Sequence, residues 1–278
     1  MAGVGDIIWA DGKLILDQHF RVPPTAPGLT QGLGCFETMA ASQGQVLFFD
    51  RHWKRFQHGI DRLGLRLPDR ETIEGGLHEL ITENAFETEA RLRVRLTAFS
   101  VDDAGHTCTT LVASVMDTPV SSIEATLLDW QRNEHNAITG IKSTSYAENT
   151  LAYREALSNG FDEALLLDSK GNLSEGSRSN VFLVRNGKIL TPSLESGCLP
   201  GITRGLVLEL IDKWNIPLHE GKVASHEIFM AEEVFLTNAT LGICPVSRLD
   251  DRELRLGPVT ETLRKAYQHL VDLEVQRK

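Results

Sequence analysis

The sequence predicts a two-domain α/β chain, with helices and strands mixed in both parts, and three observations carry that reading. Short apolar runs separated by two-residue turn signals mark hairpins. Among them lie stretches whose apolar residues recur at steps of three and four, as in helices packed on one face. The third observation is Asp117-Thr118-Pro119-Val120-Ser121-Ser122, a linker composition near the middle of the 278 residues. It divides the chain into an N-terminal α/β domain over 1–117, a linker over 118–124 and a C-terminal α/β domain over 125–278.

In the N-terminal part, residues 6–9 and 13–16 flank Asp11-Gly12, and 35–41 and 45–49 flank Gln43-Gly44. Both read as hairpins. The Pro- and Gly-rich stretch 22–34 reads as a loop. Asp50 is placed to cap a helix, in which Trp53, Phe56, Ile60 and Leu63 share a buried face. A second helix follows Asp69, with Ile73, Leu77, Leu80 and Ile81 facing in. Residues 92–99 and 110–116 read as strands. The C-terminal part opens with a strand near 125–130, then a helix over 147–158 stopped by Asn159-Gly160. Residues 163–167 are almost continuously apolar, as in a buried strand, and 169–172 is a turn. Residues 180–185 and 188–191 form a hairpin around Asn186-Gly187. Residues 203–214 are amphipathic, with Leu206, Leu210, Ile211 and Trp214 in register. Strands over 233–237 and 243–248 precede a last helix from about 258.

Composition narrows the function. A chain 41% hydrophobic and 24% charged is an ordinary globular one. With 28 basic and 38 acidic residues, its net charge of −10 argues against binding nucleic acid or anionic membrane by bulk charge. No apolar run reaches the length of a membrane span, and the N-terminus lacks the basic and apolar regions of a signal peptide. Cys35, Cys108, Cys198 and Cys244 form no Cys-x-x-Cys pair, which fits reduced thiols in the cytoplasm. The histidines show no metal-ligand spacing, so no metal site is expected. Gly32-Leu33-Gly34-Cys35-Phe36-Glu37 begins like a dinucleotide loop. Glu37 replaces the third glycine and a strand follows, which rejects that reading.

Four short stretches can carry chemistry. Lys142 lies between Ile141 and a cluster of Ser, Thr and Tyr. A lone lysine is usually solvated, but partial desolvation disfavours its charge and makes the amine a nucleophile. Glu175 follows a turn and precedes small residues. It reads either as a solvated loop carboxylate or as the partner of a protonated pyridine nitrogen. Leu199-Pro200-Gly201-Ile202-Thr203 enters a helix whose first N–H groups suit a phosphate; an ordinary Thr-headed helix is the plainer alternative. Alternation along Arg91-Leu92-Arg93-Val94-Arg95 puts three arginines on one face. One of them, Arg93 by expectation, would clamp a substrate carboxylate with both guanidinium edges; a solvated basic face is the alternative.

Taken together and in this order, these motifs resemble the fold-type IV pyridoxal-phosphate enzymes, the class IV aminotransferase family. It includes branched-chain and D-amino-acid aminotransferases, (R)-amine transaminases and aminodeoxychorismate lyases. The resemblance runs from Gly32–Thr38 through His52-Trp53-Lys54-Arg55-Phe56, Lys142–Asn149, Glu175–Phe182 and Leu199–Arg204 to Val234–Asn238 with Pro245-Val246. It implies that Lys142 is the Schiff-base lysine and proton shuttle, and that Glu175 partners the pyridine nitrogen. It further implies that Arg55, Ile202, Thr203 and Thr240 serve the phosphate end, that Leu199 packs on the ring, and that Tyr146 contacts the phenolic oxygen. Asn180 lies in the pocket motif; Phe36 and Ala239 are expected to face the substrate, together with Arg93 from the arginine face of its strand.

The implied fold is the two-domain D-amino-acid aminotransferase-like architecture, and a homodimer is implied with it. The cofactor is pyridoxal 5′-phosphate. The implied activity is ping-pong transfer of an amino group between an amino acid, branched-chain ones among the candidates, and a 2-oxo acid. The alternative is aminodeoxychorismate lyase, which forms 4-aminobenzoate and pyruvate. Asn238-Ala239 looks lyase-like, because many transaminases have Thr where Ala239 stands. Tyr146 pulls the other way, since the lyases often carry Leu-Asn-Arg in place of Thr144-Ser145-Tyr146.

Overall fold

The computed structural model describes residues 6–86, 90–117 and 120–276. The chain divides into two compact units. One comprises Met1–Thr118, Ile141–Tyr146 and Leu273–Lys278, the other Pro119–Gly140 and Ala147–Asp272. Thr118 and Pro119 of the expected linker lie outside the described residues. The division departs from the sequence-based one at an important place, because the short segment with Lys142 belongs to the first unit.

The first unit opens with β1 (Ile7–Ala10) and β2 (Lys13–Leu16), paired antiparallel with Ala10 opposite Lys13. Asp11 and Gly12 between them both take positive φ, 45° and 85°, as a twisted two-residue hairpin turn requires. The stretch expected to be all loop contains a short helix, α1 (Pro27–Thr30), started by its own proline. Then come β3 (Gly34–Ser42), β4 (Gln45–Val46), α2 (Phe49–Leu63), α3 (Arg70–Glu83), β5 (Leu92–Ser100) and β6 (Thr107–Val115). The strands form one antiparallel sheet in the order β2-β1-β6-β5-β3-β4.

β4 is shorter than the sequence suggests, because Phe48 turns into the left-handed region, φ 53°, and starts α2. Asp50 is therefore not the cap. It lies in the first turn, where a carboxylate still meets the positive end of the helix, and it accepts from Arg70. Asp69 does cap α3, accepting from Thr72 N–H at 2.7 Å. Phe56, Ile60, Ile73, Leu77 and Leu80 pack with Met39, Val94, Leu96 and Leu111 in one core. Each such side chain contributes roughly 1.5–3 kcal/mol by burial. Along β5, Leu92, Val94, Leu96 and Ala98 are buried while Arg93 and Arg95 are exposed, the expected alternation.

The second unit is built on β7 (Ile123–Arg132), α4 (Ala147–Ser158), β8 (Glu163–Asp168), β9 (Leu173–Gly176), β10 (Asn180–Arg185), β11 (Lys188–Pro192), α5 (Ile202–Lys213), β12 (Leu218–Gly221), β13 (Glu233–Asn238), β14 (Gly242–Leu249), β15 (Arg252–Glu253) and α6 (Pro258–Gln276). Its mixed sheet runs β12-β11-β10-β13-β14-β7-β8-β9, with β15 on β14. β7 and β8 are parallel, with α4 between them in the chain. Ala152 and Ala156 of α4 pack against Leu128, Ala164 and Leu166. All six residues of β8 are buried, which is why its sequence shows no alternation. Trp214 does not continue the buried stripe of α5. It is the C-terminal cap residue and is 41% exposed, because the helix ends at Lys213.

Candidate active site

The candidate residues fall into two groups, one in each unit. In the first, the segment around Lys142 is bound to the start of β3 by backbone. Phe36 N–H donates to the Lys142 carbonyl at 2.9 Å, and Thr144 N–H to the Gly34 carbonyl at 2.8 Å. The hydroxyls of Thr144 and Ser145 both donate to the Gly32 carbonyl, at 2.9 and 3.1 Å. The approach needs glycine: a Cβ on Gly34 would lie 2.8 Å from both the Ala98 carbonyl and the Thr144 hydroxyl. These bonds are what place the lysine in the first unit.

The Lys142 amine lies 4.5 Å from the centroid of the Phe36 ring and 5.4 Å from that of Tyr146. The two rings meet edge to face at 5.2 Å. Ring faces attract a cation while offering it no hydrogen-bond direction. The structure thus brings Lys142, Tyr146 and Phe36 together. Phe36 also lies beside Arg95, not Arg93: the Arg95 guanidinium carbon is 4.6 Å from the Phe36 centroid. Arg93 instead reaches Ser114 Oγ at 3.5 Å.

Arg55 is on α2, and its partner is one the sequence did not reveal. Its Nε and one Nη donate to the two oxygens of Glu37, at 2.7 and 2.6 Å. Glu37 also pairs with His52 Nδ1 at 2.7 Å. Burial alone would raise the Glu37 carboxyl, but Arg55 and His52 hold it at about 2. His52 is pushed below its ordinary value by burial, with the Arg55 and Lys142 charges adding to that and Glu37 opposing it. The signal was present in the sequence: Glu37 sits between Cys35 and Met39 on the core-facing side of β3, where a carboxylate needs a partner.

In the second unit Glu175 is no loop carboxylate. It lies on β9, 5% exposed. One oxygen accepts from Leu199 N–H at 2.9 Å and from Asn180 Nδ2 at 3.3 Å; the other accepts from Arg132. Asn180 Nδ2 also donates to the Leu199 carbonyl at 2.9 Å. Asn180 and Leu199 are thus joined to Glu175, and the chain runs from Leu199 straight into α5. Gly201, the cap residue of α5, has no side chain to take the first-turn N–H groups, so these suit an external anion. A side chain at Gly201 would collide with Asn180. Thr203 is buried in that first turn and Ile202 is half-buried. Thr240 lies elsewhere in this unit, where its N–H and hydroxyl both donate to Asn238 Oδ1 at 3.0 Å, and Ala239 is half-buried in the same turn. Asn238 in turn donates to the Arg178 carbonyl at 3.3 Å, tying that turn to the loop before Asn180.

An acceptor carboxylate and an uncapped helix start, joined by one short segment, fit the nitrogen and phosphate ends of pyridoxal 5′-phosphate. Arg132 was not singled out from sequence, and Glu37 and Asn238, which lie within the quoted motifs, were not foreseen as the partners of Arg55 and Thr240. No described helix is long and apolar enough to cross a membrane.

Comparison with known proteins places these residues in context. The family model for amino-transferase class IV matches residues 34–249. The branched-chain-amino-acid aminotransferase of Pseudomonas aeruginosa is 30% identical over 98% of this chain and 94% of its own. The crystal structure of a branched-chain aminotransferase from Thermoproteus uzoniensis with norvaline superimposes with a TM-score of 0.89 at 29% identity, covering 98% of this chain and 96% of that one. That of Thermobaculum terrenum, in its PLP form, gives 0.83 at 25% identity over 96% and 94%.

Proposed function

The chain belongs to the amino-transferase class IV family, and we infer that it binds pyridoxal 5′-phosphate and moves an amino group between an amino acid and a 2-oxo acid by a ping-pong mechanism. The observation that carries this reading is the hold on Glu175: a buried carboxylate fixed by Leu199 N–H and Asn180, with Leu199 leading into the start of α5. Bound there, the cofactor supplies an electrophilic carbon and a protonated ring that takes up the electrons left at the substrate α-carbon.

The roles of this chain's residues follow from their chemistry. Lys142 Nζ carries the cofactor and moves the proton from the substrate α-carbon. Glu175 accepts from the ring N–H. The N–H groups of Ile202 and Thr203, with the Thr203 hydroxyl, take the phosphate; Arg55, held by Glu37, and Thr240 serve the same end. Leu199 packs on the ring, Tyr146 reaches the phenolic oxygen, and Asn180 keeps Glu175 in place. Phe36 and Ala239 border the substrate.

The relatives' names favour branched-chain amino acids as substrates, and we assign a homodimer in the cytoplasm. The four cysteines are free and buried, as a reducing compartment allows. Purified holoenzyme offered L-amino acids, D-amino acids and amines in turn should lose the absorbance of its lysine-linked cofactor fastest with branched-chain L-amino acids, and should then aminate a 2-oxo acid. Pyruvate released from aminodeoxychorismate without any 2-oxo acid being aminated would replace the transfer reading by the lyase.

A further inference from the structure

β7 carries two more residues than the stretch of β8 beside it. Leu127 lies opposite Leu165 and Gln131 opposite Leu167, four steps along β7 against two along β8. An unbroken register would set Trp130 opposite Asp168; the bulge sets Arg132 there instead. On the other side of β8, Glu175 lies opposite Leu166. Leu166 and Asp168 are two residues apart and share a face. Arg132 therefore reaches along that face and donates from Nη1 to Glu175 Oε1. The Arg132 side chain is 18% exposed and that of Glu175 is 7%. Glu148 stands 3.9 Å from Arg132 Nε.

A buried carboxylate needs a counter-charge, and removing one partner of a buried pair strands the other. Leu199 N–H and Asn180 are neutral donors that aim one oxygen. Arg132 adds a full positive charge on the other.

We propose that Arg132 is a positioning residue that keeps Glu175 a charged acceptor of fixed direction for the ring nitrogen of pyridoxal 5′-phosphate. The inference rests on the cofactor reading above. The bulge in β7 is then the structural device that delivers the guanidinium, and Arg132 acts on the ring only through Glu175.

The test compares two ligands of the full-length apo-protein: pyridoxal 5′-phosphate and its 1-deaza analogue, in which a C–H replaces the ring nitrogen. Wild type should prefer the natural cofactor by about tenfold to a hundredfold, the range for a charge-assisted hydrogen bond. Arg132→Gln should lose most of that preference while binding the analogue as wild type does. In the Glu175→Gln background the same change should have little further effect, because both act on one contact. Arg132→Lys keeps the charge and should keep most of the preference. Equal weakening of both ligands in Arg132→Gln would show a merely structural role and overturn the proposal. So would an unchanged preference, or a folded Arg132→Lys that binds both ligands alike. Wild type that binds neither ligand would overturn the cofactor reading itself, a result distinct from a preference that survives the loss of Arg132.

Discussion

Lys142 and Glu175 differ in the contacts around them: backbone bonds and ring faces at the lysine, side-chain hydrogen bonds at the glutamate. Around Lys142 the backbone is fixed, by Phe36 N–H on its carbonyl and by the Thr144 and Ser145 hydroxyls on Gly32, while the amine lies over the faces of Phe36 and Tyr146. Such contacts favour a cation over a broad area. Around Glu175 the side chain itself is fixed, with donors on both oxygens. The contrast suits two tasks. A group that carries a proton between two places has to turn about its own bonds, whereas a group that balances a ring charge works best with its direction set in advance.

The comparison breaks most visibly at the lysine. Lys142→Ala should fold with an unchanged melting temperature yet lose turnover by roughly 10³-fold or more, together with the absorbance of the lysine-linked cofactor. Near-normal turnover in that variant would remove Lys142 from the chemistry. Next comes Glu175→Gln, which keeps the shape and discards the charge. Cofactor should remain bound, and removal of the α-proton in a single turnover should slow by about a hundredfold. Unaltered deprotonation would mean that another group partners the ring.

A third effect lies on the lysine's own side, where Glu37 supports Arg55 and His52. Its carboxyl is held at about 2 against an ordinary 4.5. A lowered carboxyl stabilises the fold above its unfolded value, and that contribution is lost as pH falls from about 4.5 through about 2. Glu37→Gln should therefore cost about 3 kcal/mol at neutral pH, the low end for breaking a buried ion pair. The gap in melting temperature between variant and wild type should close as pH drops through that window. A gap that stays constant from pH 7 to pH 3 would show that the charge on Glu37 contributes nothing.

The same contrast explains what was legible in the sequence. Local chemistry wrote itself plainly: Asp11-Gly12 and Asn186-Gly187 mark hairpins, Asp69 caps α3, and the apolar run 163–167 is a strand buried on both faces. The candidate residues Lys142, Glu175 and Asn180 stood out as motifs. How they are held mostly did not, because apart from the bond from Asn180 to Glu175 the holds span long chain distances. Thr144 and Gly32 are 112 residues apart, and Arg132 and Glu175 are 43. β9 reads Leu-Ser-Glu-Gly, a polar stretch with little strand character, and is a strand only because it pairs with β8 and is buried throughout. Nothing local to Gln131-Arg132 announces the bulge that turns the arginine toward Glu175. The lysine segment joins the first unit through hydrogen bonds to β3 that no composition shift in the sequence foretells.

The smallest expected effect sharpens the lysine side. Arg93 and Arg95 share the exposed face of β5, and the sequence alone favours Arg93 as the group that would clamp a substrate carboxylate. The geometry favours its neighbour. Arg95 stacks on Phe36, the ring beneath the Lys142 amine, while Arg93 is drawn to Ser114, about 7 Å further along the strand at 3.4 Å per residue. A planar guanidinium matches the two oxygens of a carboxylate and can stack on an aromatic face. Losing a charged hydrogen bond costs roughly 1.5–3 kcal/mol, or about tenfold to a hundredfold in affinity. Arg95→Ala should raise KM for amino acids and 2-oxo acids by that factor and leave amines without a carboxylate nearly unchanged. Arg93→Ala should shift both classes by less than about threefold. The reverse ranking would return the clamp to Arg93. A loss in Arg95→Ala that is equal for amines and amino acids would assign Arg95 to the support of Phe36, and through it of the lysine, with no part in holding a carboxylate.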